Sequence, residues 1–217
     1  EPGPVHLNCP FRKPLEPTSG DRPAEWPPVW SGGTSGRADG RPYVQLTAGR
    51  RELSAVDRSK LVDAIDRSRS GLIVCGPAPS RDAIRGLALS TGFPVLADPL
   101  SDLRWGEHTG ASGVTVCWGY DGYIELLDRY PETVLRFGSS PTSKPLRRYL
   151  AAAGEDGTRQ YVIDPAAGWR EAGFRATDLV VAAPTPAAAA LSGRVDRAPG
   201  AFHERVATLE ASYWAAL

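Results

Sequence analysis

Methionine is absent from this sequence of 217 residues, and cysteine is scarce. A chain without methionine does not begin at its own start codon, so we expect it to be a piece of a longer protein. The three cysteines are odd in number and widely separated, without the spacing of a zinc site or a disulfide framework: Cys9, Cys75 and Cys117. We therefore expect buried free thiols in a reducing, cytoplasmic setting.

The chain also lacks an excess of charge of either sign, since Lys+Arg and Asp+Glu each number 25. This balance argues against a general nucleic-acid binder, for which a basic excess is typical. No apolar run approaches the length of about 18 residues that a membrane-spanning helix needs. No charged segment followed by an apolar one marks a secretory signal. The composition therefore predicts neither nucleic acid nor a membrane span.

Several motifs of catalysis and nucleotide binding are missing. The sequence contains no G-x-G-x-x-G, no G-x-x-x-x-G-K-[ST], no G-x-S-x-G and no H-E-x-x-H. The three histidines, His6, His108 and His203, have no convincing catalytic partner in the sequence. We therefore predict no catalytic residue, no bound cofactor and no metal site within this chain, and nucleotide binding is doubtful.

The first 40 residues are rich in proline and glycine. Proline removes backbone donors and glycine resists ordering, so regular structure is unfavourable there. Phe11, Trp26 and Trp30 lie in the same segment, and a purely disordered linker would rarely need them. We predict an extended arm over 1–40 that comes from a preceding domain.

From residue 41 onward, apolar runs alternate with amphipathic stretches. Ser54 and Ser80 are the expected N-caps of the first two helices. Strands are predicted at 42–46, 71–76, 93–98, 132–138, 160–165 and 177–183, and helices at 53–69, 81–92, 143–154, 185–193 and 201–217. This order predicts an α/β fold: a three-layer, Rossmann-like domain with a mostly parallel, about six-stranded sheet and helices on both faces. The domain is predicted over 41–195, and 196–217 is predicted to lead toward a further domain.

The loop at 138–144 is the best candidate site. Ligands of such sheets bind beyond the carboxyl ends of the strands. Small residues let backbone N–H groups approach a ligand, and a helix N-terminus favours negative charge. Lys144 opposes that helix dipole, which is easier to understand if an anion binds beside it. The alternative is an ordinary turn with a solvated lysine.

A second candidate lies at 97–108. Asp98 and Asp102 are carboxylates that could hold a metal, but such residues more often form turns. Arg104 could bind a carboxylate or pair with Asp102. The sequence alone leaves these alternatives open.

Three stretches resemble one enzyme family: GPVHLNCPFRKPLEP at 3–17, PVLADPLSDLR at 94–104 and VLRFGSSPTSKPLRRYL at 134–150. They are similar to 2-succinyl-5-enolpyruvyl-6-hydroxy-3-cyclohexene-1-carboxylate (SEPHCHC) synthase, the MenD family of menaquinone biosynthesis. The resemblance implies a transferase that decarboxylates 2-oxoglutarate on thiamine diphosphate and adds the succinyl unit to isochorismate. It also implies that this chain is the central of three domains and that the flanking domains hold the cofactor with Mg²⁺ or Mn²⁺. A homodimer or homotetramer is expected for the full-length enzyme, and the chain alone is expected to be inactive.

The resemblance also implies roles for particular residues. Lys144 is expected to contact a carboxylate of isochorismate, while Ser139, Ser140 and Thr142 shape its loop. Pro145 stands where some members have a second basic residue, so that contact is lost. A regulatory anion site for a downstream naphthoate product is a further hypothesis, with three candidate arginines: Arg104, Arg147 and Arg148. The alternative is that these arginines are solvated surface charges. The alternatives are a stand-alone module for a small anion or nucleotide, and a pure assembly element.

Overall fold

A computed structural model describes residues 6–11, 39, 41, 44–45, 47, 49–77, 80–106, 113–169, 171 and 173–217. The chain divides into two units, Glu1–Gly49 and Arg50–Leu217. The predicted arm over 1–40 therefore lies almost wholly outside the described residues. Two predictions in the first unit are wrong where they can be examined. Val44 and Gln45 are not in a strand, and Cys9 is exposed.

The second unit is built on a six-stranded sheet in which every neighbouring pair is parallel. The strands are β1 (Gly71–Cys75), β2 (Val95–Ala97), β3 (Val116–Cys117), β4 (Thr133–Phe137), β5 (Arg159–Ile163) and β6 (Asp178–Val180). Their spatial order is β3-β2-β1-β4-β5-β6, which is the Rossmann order. The predicted α/β fold is confirmed, and the sheet includes β3, a strand that the sequence did not predict.

Five helices cover the sheet: α1 (Ala55–Arg67), α2 (Arg81–Thr91), α3 (Lys144–Glu155), α4 (Pro184–Ser192) and α5 (Ala201–Ala215). The predicted caps are confirmed, because the Ser54 and Ser80 hydroxyls accept hydrogen bonds from the first turns of α1 and α2. Ser143 caps α3 in the same way. Short 3-10 helices at Pro99–Ser101, Tyr120–Gly122 and Ile124–Leu126 follow β2 and β3.

Side chains alternate along each strand and so build two cores, one on each face of the sheet. Ile73 and Leu135 pack in the core that contains α1, α2 and α4. Leu72 and Val134 pack in the other core, with α3 and α5. This arrangement is the predicted three-layer architecture. It also leaves the strand ends, and not the buried sheet faces, as the place for a ligand.

The last helix, α5, is attached to β3 through a buried carboxylate. Glu210 accepts hydrogen bonds from the backbone N–H groups of Trp118 and Gly119, from the Tyr123 hydroxyl and from the Trp214 indole. Helix α5 therefore covers the sheet within the described chain. The proposed lead from 196–217 toward a further domain stays a prediction.

Among the described residues, no helix is both long enough and apolar enough to span a membrane.

Candidate functional site

The site is formed where the loop from β4 to α3 crosses the carboxyl end of β1. Gly138 has φ +84°, and a Cβ on it would lie 2.3 Å from the backbone oxygen of Pro77. A Cβ on Gly76 would lie 3.0 Å from the backbone oxygen of Ser139. Both glycines are needed because two backbone segments pass this close to each other.

Two carboxylates hold the end of this loop. Asp98, just after β2, accepts hydrogen bonds from the backbone N–H and the hydroxyl of Thr142, both at 2.8 Å. Asp121, after β3, accepts a short hydrogen bond from the hydroxyl of Ser143. The Ser143 oxygen in turn accepts from the backbone N–H of Leu146 in the first turn of α3. Carboxylates near a helix N-terminus are also favoured by the helix dipole.

These contacts change the physical basis of the predicted anion site. The Thr142 and Leu146 backbone donors that begin α3 already have protein partners. An incoming anion would therefore be recognised by the Lys144 side chain and not by those N–H groups. Lys144 is the first residue of α3, is exposed, and lies at the carboxyl edge of the sheet. No ion pair is recorded for it within the described part of the chain.

A groove of about 280 Å³ runs from Lys144 along α3. Its basic lining comes from Arg136, Lys144, Arg147, Arg148 and Arg175. The Ser140 side chain also lines it and accepts a long hydrogen bond of 3.4 Å from Arg136. Lys144, Arg147 and Arg148 have no recorded carboxylate partner among the described residues, so the groove carries uncompensated positive charge.

The floor of the groove is a buried ion pair between Arg136 and Glu171, at 3.1 Å. Burial alone would raise the pKa of Glu171. Hydrogen bonds from the backbone N–H groups of Gly173 and Arg175, together with the Arg136 guanidinium, outweigh burial and hold that pKa below its ordinary value. Burial lowers the pKa of Arg136, and Glu171 opposes that shift.

The groove is lined by two of the three arginines of the predicted regulatory site. Arg147 and Arg148 line the groove, whereas Arg104 does not. Arg104 donates to the backbone oxygen of Ala97 at 2.9 Å, and its guanidinium lies 5.9 Å from the centre of the Tyr120 ring. The three-arginine site stays a prediction, for which the groove supports only Arg147 and Arg148.

Of the two alternatives left open for Arg104, the pair with Asp102 is not recorded among the described residues. Asp102 bonds instead to Arg81, at 2.7 Å. Asp98 is the N-cap of the short helix Pro99–Ser101, so its turn-forming role is confirmed. In the described part of the chain, no three His, Cys, Asp or Glu side chains are grouped as a metal site.

His203 and the buried cysteines Cys75 and Cys117 do not line this groove. His203 bridges Thr115 and the backbone oxygen of Gly92, at 2.8 and 2.9 Å, which ties α5 to neighbouring turns. His6 is exposed, and His108 lies outside the described residues. Cys75 and Cys117 are buried as predicted, and burial raises the pKa of both thiols.

The sequence analysis missed three residues of the site. Arg136 interrupts the apolar run of β4, and a charge inside a buried strand is a signal for a buried partner. Glu171 and Asp121 gave no such signal, because each lies in a connection where acidic residues are common. Only the fold brings them to the carboxyl edge of the sheet.

Comparison with curated proteins identifies relatives along almost the whole chain. SEPHCHC synthase of Natronomonas pharaonis is 47% identical over 226 aligned positions, which cover 99% of this chain and 38% of the relative. The synthase of Haloarcula marismortui is 46% identical and covers 100% of the chain and 38% of the relative. The corresponding protein of Chloroflexus aurantiacus is 40% identical over 78% of the chain and 27% of the relative.

The chain corresponds to a segment of the proteins of the MenD family. The resemblance seen in the three sequence stretches is thereby confirmed. This MenD segment spans about two fifths of the length of the first two relatives. No family model matches the chain.

A solved structure shares the fold of this MenD segment. It is described as a thiamin diphosphate-dependent enzyme from Mycobacterium smegmatis, and the match covers 75% of this chain and 31% of that one. The TM-score is 0.52 and the sequence identity is 21%. At this identity the likeness shows the fold alone.

Proposed function

We propose that this chain is the central domain of a SEPHCHC synthase. The full-length enzyme decarboxylates 2-oxoglutarate and adds the succinyl unit to isochorismate, using thiamine diphosphate and Mg²⁺ or Mn²⁺. Flanking domains of its own chain complete the active site, in a cytoplasmic homodimer or homotetramer. The identity of 46–47% to synthases of this name along the chain supports the proposal.

The residues described do not fit the cofactor itself. They contain no grouped metal ligands, and the carboxylates Asp98 and Asp121 are already bonded to the loop that precedes α3. We place the contribution of this domain in a substrate contact. The thiamine ring and its metal would lie in the parts of the enzyme that flank this chain.

Lys144 is the proposed contact for a carboxylate of isochorismate. The observation that carries this role is an exposed ammonium group without an ion-pair partner among the described residues, on a firmly held loop at the carboxyl edge of the sheet. Thr142 supports the contact by anchoring the loop. Ser140 lies beside Lys144 in the groove lining. Isochorismate is an anion, so a lysine that is not neutralised by the protein can attract it.

The change Lys144→Ala in the full-length enzyme tests this role. Losing one charge-assisted hydrogen bond costs about 1.5–3 kcal/mol, so the apparent KM for isochorismate should rise about 10- to 100-fold. The apparent KM for 2-oxoglutarate should change little, because that substrate makes no contact with Lys144. Steady-state kinetics with each substrate varied in turn measures both values.

Lys60→Ala is the matched control, since Lys60 is an exposed lysine on α1 that pairs with Asp57. This control should leave both KM values unchanged. Equal increases for the two substrates in Lys144→Ala, or no increase for either, would contradict the proposed contact.

The groove along α3 supports a second proposal, that this domain binds a regulatory anion. The observation that supports this proposal is the positive charge of Arg147 and Arg148, for which no carboxylate partner is recorded in the described structure. Titration calorimetry of this chain with a hydroxynaphthoate should then show binding that is lost in an Arg147→Ala, Arg148→Ala double variant. An unchanged affinity in the double variant would refute this use of the groove. Tight binding of a nucleotide would favour the stand-alone module instead.

A further inference from the structure

Among the described residues, the recorded side-chain hydrogen bonds of Asp98 all come from uncharged donors. Its side chain is buried, with 1% of the residue exposed. One carboxylate oxygen accepts from the backbone N–H and the hydroxyl of Thr142, each at 2.8 Å. The other oxygen accepts from the backbone N–H of Leu100 at 3.0 Å.

This carboxylate joins two segments that are distant in the sequence. The bond to Leu100 is local and caps the short helix Pro99–Ser101. The two bonds to Thr142 span 44 positions and connect the end of β2 with the residue two places before Lys144. Asp102, on the same turn, is exposed and pairs only with Arg81 on α2 among its recorded side-chain partners. A turn-forming role accounts for the first bond but not for the other two.

The loop is held at the adjacent residue as well. The Ser143 hydroxyl donates to Asp121 and accepts from the Leu146 N–H. A hydroxyl has a single proton to donate, so its orientation follows from these two partners. Lys144 therefore begins α3 directly after two residues that are each bonded to a carboxylate from another part of the sheet edge, Asp98 after β2 and Asp121 after β3.

The arrangement also leaves the lysine charge free. Asp98 and Asp121 lie near the start of α3, yet their recorded side-chain bonds go to N–H and O–H donors and not to the Lys144 ammonium. A carboxylate that accepts several such bonds is satisfied without a cation. Both groups thus order the loop without neutralising the residue that it presents.

We propose that Asp98 is a positioning residue for isochorismate: through Thr142 it sets the place of Lys144 and so the affinity for the substrate carboxylate. The proposal rests on the proposed function of Lys144. If Asp98 were purely structural, its replacement would lower the stability and change the apparent KM values for both substrates alike.

The test uses the full-length enzyme with Asp98→Asn and, as matched control, Asp102→Asn. Asp98→Asn removes the negative charge and should raise the apparent KM for isochorismate about tenfold, the scale of one charged hydrogen bond. The KM for 2-oxoglutarate should stay the same, and so should both values in Asp102→Asn. Equal changes for the two substrates would overturn the proposal.

Dependence on Lys144 is tested with double variants. Added to Lys144→Ala, Asp98→Asn should cause no further rise in the KM for isochorismate, because it acts only through the missing side chain. Additive effects would overturn the positioning role. If Asp98→Asn does not fold, Thr142→Val removes the hydroxyl bond and keeps the backbone one, and it should show a smaller rise with the same dependence on Lys144.

Hydrogen exchange separates this proposal from the proposed function. In the full-length protein, Asp98→Asn should speed amide exchange in the peptide 138–146, whereas Asp102→Asn should not. If Lys144→Ala leaves the KM for isochorismate unchanged, the proposed contact fails, and the positioning of substrate by Asp98 fails with it. Faster exchange in Asp98→Asn would then show that Asp98 holds the loop although Lys144 makes no contact with isochorismate. Unchanged exchange would show that Asp98 does not hold the loop at all.

Discussion

At the scale of single residues, Arg136 and Glu171 form the one recorded ion pair of the described residues in which both side chains are buried. Arg136 also donates to Gln160 on β5, at 3.3 Å. Glu171 accepts from the backbone of Gly173 and Arg175, at 2.9 and 2.6 Å. Strand β4 is thereby connected to the loop that leads to β6. The pair holds the floor of the groove because neither charge could stay buried without its partner.

Glu171→Gln should therefore destabilise this chain by about 3 kcal/mol at pH 7, since Arg136 would be left buried and unpaired. Denaturant unfolding of both forms measures the difference. Glu155→Gln is the control: it removes the exposed partner of Arg175, and an exposed pair contributes at most about 1 kcal/mol. Similar losses in the two variants would contradict the role assigned to burial.

The same pair predicts a pH dependence. The pKa of Glu171 is below its ordinary value in the folded chain, so its stabilising contribution is present above the pKa of the unfolded form and is lost as the pH falls through the folded pKa. The unfolding free energy of the wild type should therefore fall below about pH 4.5 more steeply than that of Glu171→Gln. Parallel pH profiles would contradict this assignment.

Residue-scale prediction from the sequence was uneven. Lys144 was found because a lysine in the first turn of a helix is unfavourable without an anion. Arg104 was grouped with Arg147 and Arg148 on charge alone, and the structure separates it from the groove. Charge identifies candidate anion-binding residues, but the hydrogen bonds and ion pairs that each residue makes within the protein decide which of them can bind a ligand.

At the scale of elements, the connection between β4 and α3 is held by close packing as well as by hydrogen bonds. Gly138 adopts a positive φ, and its neighbour across the gap is the backbone oxygen of Pro77. Gly157, which follows α3, also has a positive φ, but a Cβ on it would meet no atom of the described residues within 4 Å. Alanine substitutions at the two glycines therefore separate the free-energy cost of a positive φ from the cost of a close approach between backbone segments.

Gly157→Ala should destabilise the chain by about 1 kcal/mol, which is the cost of a positive φ alone. Gly138→Ala should cost about 3 kcal/mol, because its Cβ must also displace the backbone at Pro77. Thermal unfolding of both variants tests the difference. Equal costs would mean that the loop can move away from β1 without penalty.

Element prediction succeeded where a local signal was strong. Strand β1 is a continuous apolar run, and the caps of α1 and α2 are serines at the start of helical patterns. Strand β3 was missed because it has only two residues, Val116 and Cys117. Its place in the sheet is set by pairing with β2, which no local pattern reveals.

At the scale of the whole molecule, the unit Arg50–Leu217 is a three-layer domain in which Glu210 attaches the last helix to an edge of the sheet. The carboxyl edge presents Lys144 and the basic groove. The relatives are more than twice as long as this chain. The proposed substrate contact therefore needs neighbouring parts of the enzyme to complete a reaction site.

The isolated chain should accordingly form no product from 2-oxoglutarate and isochorismate, even with added thiamine diphosphate and Mg²⁺. The proposed function assigns the thiamine diphosphate and metal sites to the flanking domains, which this chain lacks. A coupled assay for carbon dioxide release measures the reaction, with the full-length enzyme as positive control. Turnover by the chain alone would refute its assignment as a non-catalytic domain.

The sequence by itself determined the fold class, the strongest helix caps and the loop that carries Lys144. Those features depend on periodicity and on local backbone preferences, which are written in consecutive residues. The tertiary structure alone decided that Asp98 and Asp121 hold this loop, that Glu171 neutralises Arg136 and that Arg104 lies apart. Such pairings join segments up to 44 positions apart at the loop, and only the order of the strands in the sheet determines which strand ends become neighbours.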